Sequence, residues 1–305
     1  MKTTRKVETL LRPYGAEPPG VVGKLARILM HGRLRGTGRM IILPVDQGVE
    51  HGPARSFSPN ADGYDPVYHH RLAIEGGFNA YAAPLGALSV SAPMFPDAVP
   101  LILKVNHNNT LMRGKEDSFQ ATFADIEDAL RLGCSAVGYT IYPGSDANHD
   151  MLEEAAELVR DARAVGLPTV LWSYPRGGDL TSEAETALDV VAYAAHLACQ
   201  TGAHIIKVKL PSAATGLTDK PFPSFGNLTS GADRVAMIMK SCFDGQRLVV
   251  FSGGAAKDED SVIDDARAIA AGGGHGSIIG RNCFQRPHEQ ALALVDRIVQ
   301  TYKQS

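Results

Sequence analysis

Short apolar runs recur along the chain, and each is followed by a longer stretch in which apolar positions return every three or four residues. The first pattern predicts buried strands over Met40–Val45, Asn79–Ala83, Leu101–Val105, Ala136–Ile141, Thr169–Trp172, Ile205–Val208, Leu248–Phe251 and Ser277–Ile279. The second predicts helices over Pro66–Glu75, Ser118–Leu132, Asp150–Val165, Glu183–Thr201, Gly231–Cys242, Glu259–Ala271 and Pro287–Tyr302. Only a weak segment around Leu88–Val90 follows the second strand, and an extra helix, Val21–Leu34, precedes the first. Glycines stop several helices just before the next strand: Gly76-Gly77, Gly133, Gly166 with Pro168, Gly202 and Gly272-Gly273-Gly274. Eight strands alternating with helices predict an α/β fold, a (β/α)8 TIM barrel forming a single domain over 1–305, with 1–38 as an N-terminal extension that carries the extra helix. No GxGxxG follows the first strand, which weighs against a dinucleotide-binding sheet. The Pro-, Ser- and Gly-rich segment Ser212–Asn227 is the longest loop and a lid candidate.

Composition narrows the picture without changing it. A length of 305 residues suits one barrel, and 44% hydrophobic with 21% charged residues suits a globular chain. A net charge of -3 argues against a general nucleic-acid binder. Cys134, Cys199, Cys242 and Cys283 form no CxxC pair and lie in or beside apolar stretches, so reduced buried thiols are expected. The basic start MKTTRKVETLL is interrupted by Glu8 and Pro13 and leads into no signal-peptide core. No apolar run reaches the roughly 18 residues of a membrane span. No membrane association is therefore expected, and the cytoplasm is the expected location.

Catalytic groups of a barrel sit at the C-terminal ends of its strands. Polar residues collect there: Asp46 after strand one; Lys104, Asn106 and His107 on strand three; Tyr139 and Tyr142 near the end of strand four; Trp172, Tyr174 and Arg176 on strand five; Lys207 and Lys209 on strand six; Ser252-Gly253-Gly254 after strand seven; Gly280-Arg281 after strand eight. Lys207 and Lys209 are two residues apart and share one face of a strand. If that face is the barrel interior, each ammonium lowers the pKa of the other and desolvation lowers both, which favours an amine able to attack a ketone. Two lysines that simply reach water at a strand end fit the spacing equally well. The SGG and GR segments fit a phosphate cradle of backbone N–H groups with an arginine, at the usual barrel phosphate position; two ligand-free turns are the bland alternative. Trp172, the sole tryptophan, fits either core or site. His51, His69, His70 and His107, with Asp46 or Glu50, show no recognised metal-ligand spacing, so no metal site is expected.

The segments ILPVDQGVEHG, KVNHN, LWSYPRGG, GAHIIKVK, FSGGAA and IIGRNCFQR, in this order between about Gly32 and Arg286, resemble the archaeal-type (DhnA-type) class I fructose-1,6-bisphosphate aldolases, closest to the bacterial members. The resemblance implies a lyase of glycolysis and gluconeogenesis that needs no cofactor and cleaves fructose 1,6-bisphosphate to dihydroxyacetone phosphate and glyceraldehyde 3-phosphate. It makes Lys207 the Schiff-base lysine, Asp46 the group that handles substrate hydroxyls, and Trp172 and Tyr174 the pair beside the reacting carbons, with Tyr174 moving protons. It makes Ser252, Gly253, Gly254, Gly280 and Arg281 the site for the phosphate of the dihydroxyacetone half, and puts His51 and Arg176 near the other phosphate. Lys209 is expected to contact a phosphate or hydroxyl. The expected partners are a sugar-phosphate substrate and other copies of the chain, in a ring-based homo-oligomer such as a decamer. One departure stands out: the family's acid–base glutamate after strand six has no counterpart, because 209–232 contains no Glu and only Asp219 is acidic. Alternative readings keep the lysine but change the substrate (an aromatic-precursor synthase, or a thiolase on a phosphorylated signal), make the chain a metal-dependent class II aldolase, or reduce it to a non-catalytic sugar-phosphate binding barrel.

Overall fold

The computed structural model describes residues 2–111, 119–217, 228–253 and 257–305. Eight parallel strands close into a barrel: β1 (Met40–Pro44), β2 (Ala80–Pro84), β3 (Leu101–Lys104), β4 (Ala136–Ile141), β5 (Thr169–Ser173), β6 (Ile205–Lys209), β7 (Leu248–Ser252) and β8 (Gly276–Ile278). Each strand pairs with its neighbours in sequence, and β8 closes on β1 with Met40 beside Gly276. Every expected strand is present, with ends shifted by a residue at most. Residues alternate along each strand. Ile42, Val170, Ile205 and Val250 fill the interior, while Ile41, Leu171, Ile206 and Val249 pack outward against the helices.

The N-terminal segment departs from its expected form. In place of one helix over Val21–Leu34, two are present, Arg5–Leu11 and Pro19–Leu29. Thr4 caps the first by accepting the Val7 N–H, and Pro19 opens the second where its missing N–H is not needed. The second stops at Leu29, since Gly32, Gly36 and Gly38 take positive φ beyond it. Val7, Tyr14, Val21, Leu25 and Leu29 belong to the same cluster as the interior barrel residues, so the segment plugs the N-terminal mouth. The Tyr14 hydroxyl donates to His204 O (2.6 Å) and accepts from Leu248 N (2.8 Å), tying the plug to the starts of β6 and β7.

Two further helices begin later than the pattern predicts. The helix expected from Ser118 runs only Ile126–Arg131, because Ala121–Thr122 pairs with Asn106–His107 and Asp125 caps the turn through Asp128 N. The helix expected from Glu183 runs Leu188–Gln200, and Asp189 near its start accepts N–H bonds from Gly216 and Leu217. The weak segment after β2 is a helix, Leu85–Ser91. Of the lid candidate, 218–227 lies outside the described residues, as does Asp219; Gly254 is also outside them.

Candidate active site

A cavity of about 370 Å³ opens at the C-terminal mouth of the barrel. Its wall is drawn from the ends of separate strands: Asp46, Gln47, Glu50 and His51 after β1, Trp172, Tyr174 and Arg176 from β5, Lys207 and Lys209 from β6, Ser252 and Gly253 from β7, and Gly280, Arg281 and Asn282 after β8. Of the residues that the resemblance assigns to the site, Gly254 alone lies outside the described residues, and the fold gathers the others around this one space, whereas Lys104, Asn106, His107, Tyr139 and Tyr142 do not line it.

Lys207 sits one interior layer above Ile205 and is only 3% exposed. Its Nζ lies 5.0 Å from the centre of the Trp172 ring and 5.1 Å from that of Tyr174, cation–π distances that partly replace lost water. Trp172 reaches into the barrel because β4 carries Gly138 beside it, where a Cβ would overlap the indole. The Trp172 Nε1 and the Asp46 Oδ1 are buried with no protein hydrogen-bond partner among the described residues. The Tyr174 hydroxyl donates to Ser252 Oγ at 3.3 Å. Gly280 lets the turn after β8 approach β1, since a Cβ there would stand 2.8 Å from Pro44 O.

The electrostatics favour a reactive amine. Burial is the largest effect on Lys207 and brings its pKa down to about 7; Asp46 and Glu50 oppose this, while Lys104 and Arg281 push the same way. Lys104 is also buried, with its pKa lowered to about 8 by desolvation. Its ammonium donates to the carbonyl and Oδ1 of Asn106 and lies 5.7 Å from the Trp172 ring centre. Burial works to raise the Asp46 pKa, yet Lys207, Lys104 and His107 hold it below the usual carboxylate value. Burial pushes the Tyr174 phenol far above its ordinary range and keeps it protonated. An amine that is substantially neutral near pH 7, a charged carboxylate and a neutral phenol share one site; such a set can add an amine to a ketone and move protons around the adduct.

The structure corrects one expectation about the lysine pair. Both lysines do face inward, but Lys209 is not the cation set against Lys207. It turns to Glu185 Oε2 at 3.1 Å, and Lys104 takes that part from across the barrel. Arg176 donates to the Tyr142 hydroxyl at 3.2 Å and stacks 4.7 Å from its ring centre. Burial lowers the His51 pKa, helped by Arg281 and Arg55. His69 and His70 lie on the outer helix Pro66–Glu75, where His69 binds Gly63 O (2.7 Å) and His70 meets Ser91 Oγ (3.1 Å). Among the described residues, no three His, Cys, Asp or Glu side chains gather in a way that could hold a metal ion. The sequence reading placed Lys104 at the end of strand three but not as the cation acting on Lys207, and it weighed Glu50 only as a possible metal partner, not as a site acid. The i to i+4 spacing of Asp46 and Glu50 was the available signal for the latter.

Residues 40–286 match the DeoC/LacD family of aldolases. The chain is 40% identical to the class 1 fructose-bisphosphate aldolase of Thermoproteus tenax over 82% of its length and 84% of the relative's. It is 35% identical to the probable class 1 fructose-bisphosphate aldolase of Chlamydia muridarum over 92% of its length and 84% of the relative's. It also superposes on an archaeal fructose-1,6-bisphosphate aldolase whose catalytic lysine is covalently bound to the carbinolamine intermediate, with a TM-score of 0.72, 34% identity, and coverage of 97% of this chain and 100% of that one. The chain belongs to the DeoC/LacD aldolase family, on its class I fructose-bisphosphate aldolase branch.

Proposed function

We propose that the chain cleaves fructose 1,6-bisphosphate reversibly through an iminium on Lys207. The observation that carries this is Lys207 itself: a buried interior lysine with its pKa brought to about 7, lining a polar cavity at the catalytic end of a barrel. The neutral amine adds to the C2 ketone, and loss of water gives the iminium. That cation draws the electrons of the C3–C4 bond as it breaks, the C4 hydroxyl passes its proton to the Asp46 carboxylate, and glyceraldehyde 3-phosphate departs, after which Asp46 returns the proton to solvent. The enamine left behind is protonated at C3, and hydrolysis releases dihydroxyacetone phosphate and the free amine. Asp46, held charged by its lysine neighbours, accepts hydrogen bonds from substrate hydroxyls, and Tyr174, held protonated, serves the carbon that gains a proton. Trp172 offers its unpaired indole N–H and a π face to the iminium.

Ser252, Gly253, Gly280 and Arg281 receive the phosphate of the dihydroxyacetone half, and Arg176 and His51 the other; Lys209 contributes charge beside Tyr174. A homo-oligomer built on rings is part of the same reading, to be checked by light scattering at micromolar concentration. So is a cytoplasmic location, in keeping with four free, buried cysteines. Borohydride reduction in the presence of dihydroxyacetone phosphate, followed by peptide mass mapping, tests the chemistry. Label on Lys207 is the expected result; label on Lys209 reverses the assignment, and no label removes the iminium.

A further inference from the structure

The mechanism above leaves one step without a named proton carrier. A carbinolamine becomes an iminium only if its hydroxyl leaves as water, which needs an acid beside Lys207. The described part of the loop after β6 supplies no carboxylate. Tyr174 is a weak acid, driven weaker by burial.

The turn after β1 supplies what that loop lacks. Asp46 precedes a single helical turn, Gln47–Glu50, so Asp46 and Glu50 stand one turn apart on the same side, and both line the cavity. The backbone there is fixed: Glu50 O accepts from Thr110 N at 3.0 Å, and Gln47 O accepts from His51 N at 2.8 Å. Among the described residues, the Glu50 side chain makes no ion pair with a lysine or arginine, and the ring nitrogen Nε2 of His51 stands 3.9 Å from its Oε2. Around it stand Lys207 from β6, Lys104 from β3, Arg176 after β5 and, of its own sign, Asp46. Two carboxylates in one poorly hydrated space do not ionise alike, and the one with the better cation contacts takes the charge. Asp46 has them, with Lys207 and Lys104 acting against its burial. Burial and the Asp46 charge press Glu50 the other way, toward retaining its proton.

We propose that Glu50 is the acid–base residue of iminium formation, in the place of the glutamate that the loop after β6 lacks. Protonated Glu50 gives its proton to the carbinolamine hydroxyl; the C2–O bond breaks, water leaves, the nitrogen lone pair forms the C2=N bond, and Glu50 is left as carboxylate. In hydrolysis the carboxylate takes a proton from the attacking water, which restores the acid. Asp46 stays charged through iminium formation and serves the substrate hydroxyls.

This rests on the reading of Lys207 as the nucleophile, and the test separates the two. On the enzyme, dihydroxyacetone phosphate labelled with oxygen-18 at its carbonyl loses the label to water through carbinolamine and iminium, read as the rate above the spontaneous hydration exchange of an enzyme-free control. Wild-type enzyme should catalyse this washout and be labelled on Lys207 by borohydride. Glu50→Gln should slow washout by about 100-fold, in line with loss of one general acid, while retaining affinity for the ketone. Glu50→Ala should be as slow and should regain rate with added acetate, which a merely structural role would not show. Glu50→Gln that exchanges oxygen at the wild-type rate overturns the role of Glu50 alone. Loss of exchange in Glu185→Gln but not in Glu50→Gln moves the role to the carboxylate beside Lys209. A wild-type enzyme that neither exchanges oxygen nor is labelled on Lys207 overturns the lysine reading and this one together.

Discussion

Replacing Lys104 by Met should move the pH dependence of the enzyme by about one unit. The ammonium groups of Lys104 and Lys207 stand 5.7 and 5.0 Å from the centre of one indole, so they are at most about 11 Å apart. At an effective dielectric of about 20, two unit charges at that separation repel by about 1.5 kcal/mol, roughly one pKa unit. Closer approach makes the effect larger. Lys104, with a pKa near 8, is mainly charged where Lys207, near 7, titrates. Its removal should therefore raise the Lys207 pKa to about 8. The sign follows from the nucleophile being the neutral amine: the rising limb of kcat/KM against pH moves upward. At pH 7 the neutral fraction falls from about half to about a tenth, an expected loss of about five-fold, while the plateau near pH 9 is largely kept. Met retains the length and apolar stem of the lysine, and circular dichroism checks that the Asn106 turn survives. The assay is kcat/KM for fructose 1,6-bisphosphate across pH 5.5–9.5, paired with the pH dependence of borohydride trapping. A limb that stays in place, or moves down, refutes the charge coupling. A loss of equal size at every pH would mean that Lys104 acts by holding structure.

Lys207→Met should abolish cleavage and trapping while leaving substrate binding measurable by calorimetry. It should also raise the melting temperature by several degrees near pH 7, because the folded pKa lies below the unfolded lysine value; the gain is full below about pH 7 and fades as the pH rises toward 10. Arg281→Ala should raise KM for the bisphosphate and lower kcat less, as seen in steady-state kinetics; wild-type kinetics would put the phosphate elsewhere. Gly138→Ala should displace the only tryptophan, so the emission of Trp172 and kcat should change together at a cost of about 1–3 kcal/mol in denaturant unfolding; unchanged emission would show that the indole does not need that space.

The barrel was legible because strand and helix periods differ, and all eight strands obey the strand period. The elements misjudged were those whose limits depend on contacts distant in sequence. The helix at Ile126 starts late because Asn106–His107 captures the residues before it, and the one at Leu188 because Asp189 is drawn to the N–H groups of Gly216 and Leu217. No local window contains both partners of either contact. The N-terminal helix Arg5–Leu11 is short and half polar, and it is held by its place under the barrel rather than by propensity. Site residues were legible for a related reason. A charged side chain inside a strand contradicts its surroundings, so Lys207 stood out, and Asp46 stood out at the C-terminal end of the first strand, where barrel catalytic groups sit. Glu50 drew notice only as a possible metal partner, because a glutamate on a short polar helix otherwise looks like surface.

The plug and the nucleophile belong to one argument. Lys207 owes its lowered pKa first to burial, and burial of an interior barrel residue needs both ends of the tube considered. Below Lys207 the interior holds Ile205, Val170, Val250 and Ile42, and beneath these the N-terminal mouth is closed by Leu25, Leu29 and Tyr14. Among the described residues the amine therefore stands on an apolar floor and faces the cavity on the substrate side. The dry floor disfavours the ammonium, and the Asp46 carboxylate at the rim favours it. Floor alone would drive the pKa lower still and leave an amine whose iminium is equally penalised. Rim alone would leave an ordinary protonated lysine. The balance between the two sets a value near neutrality, and it also explains why catalytic residues gather at one end of a tube whose other end is sealed.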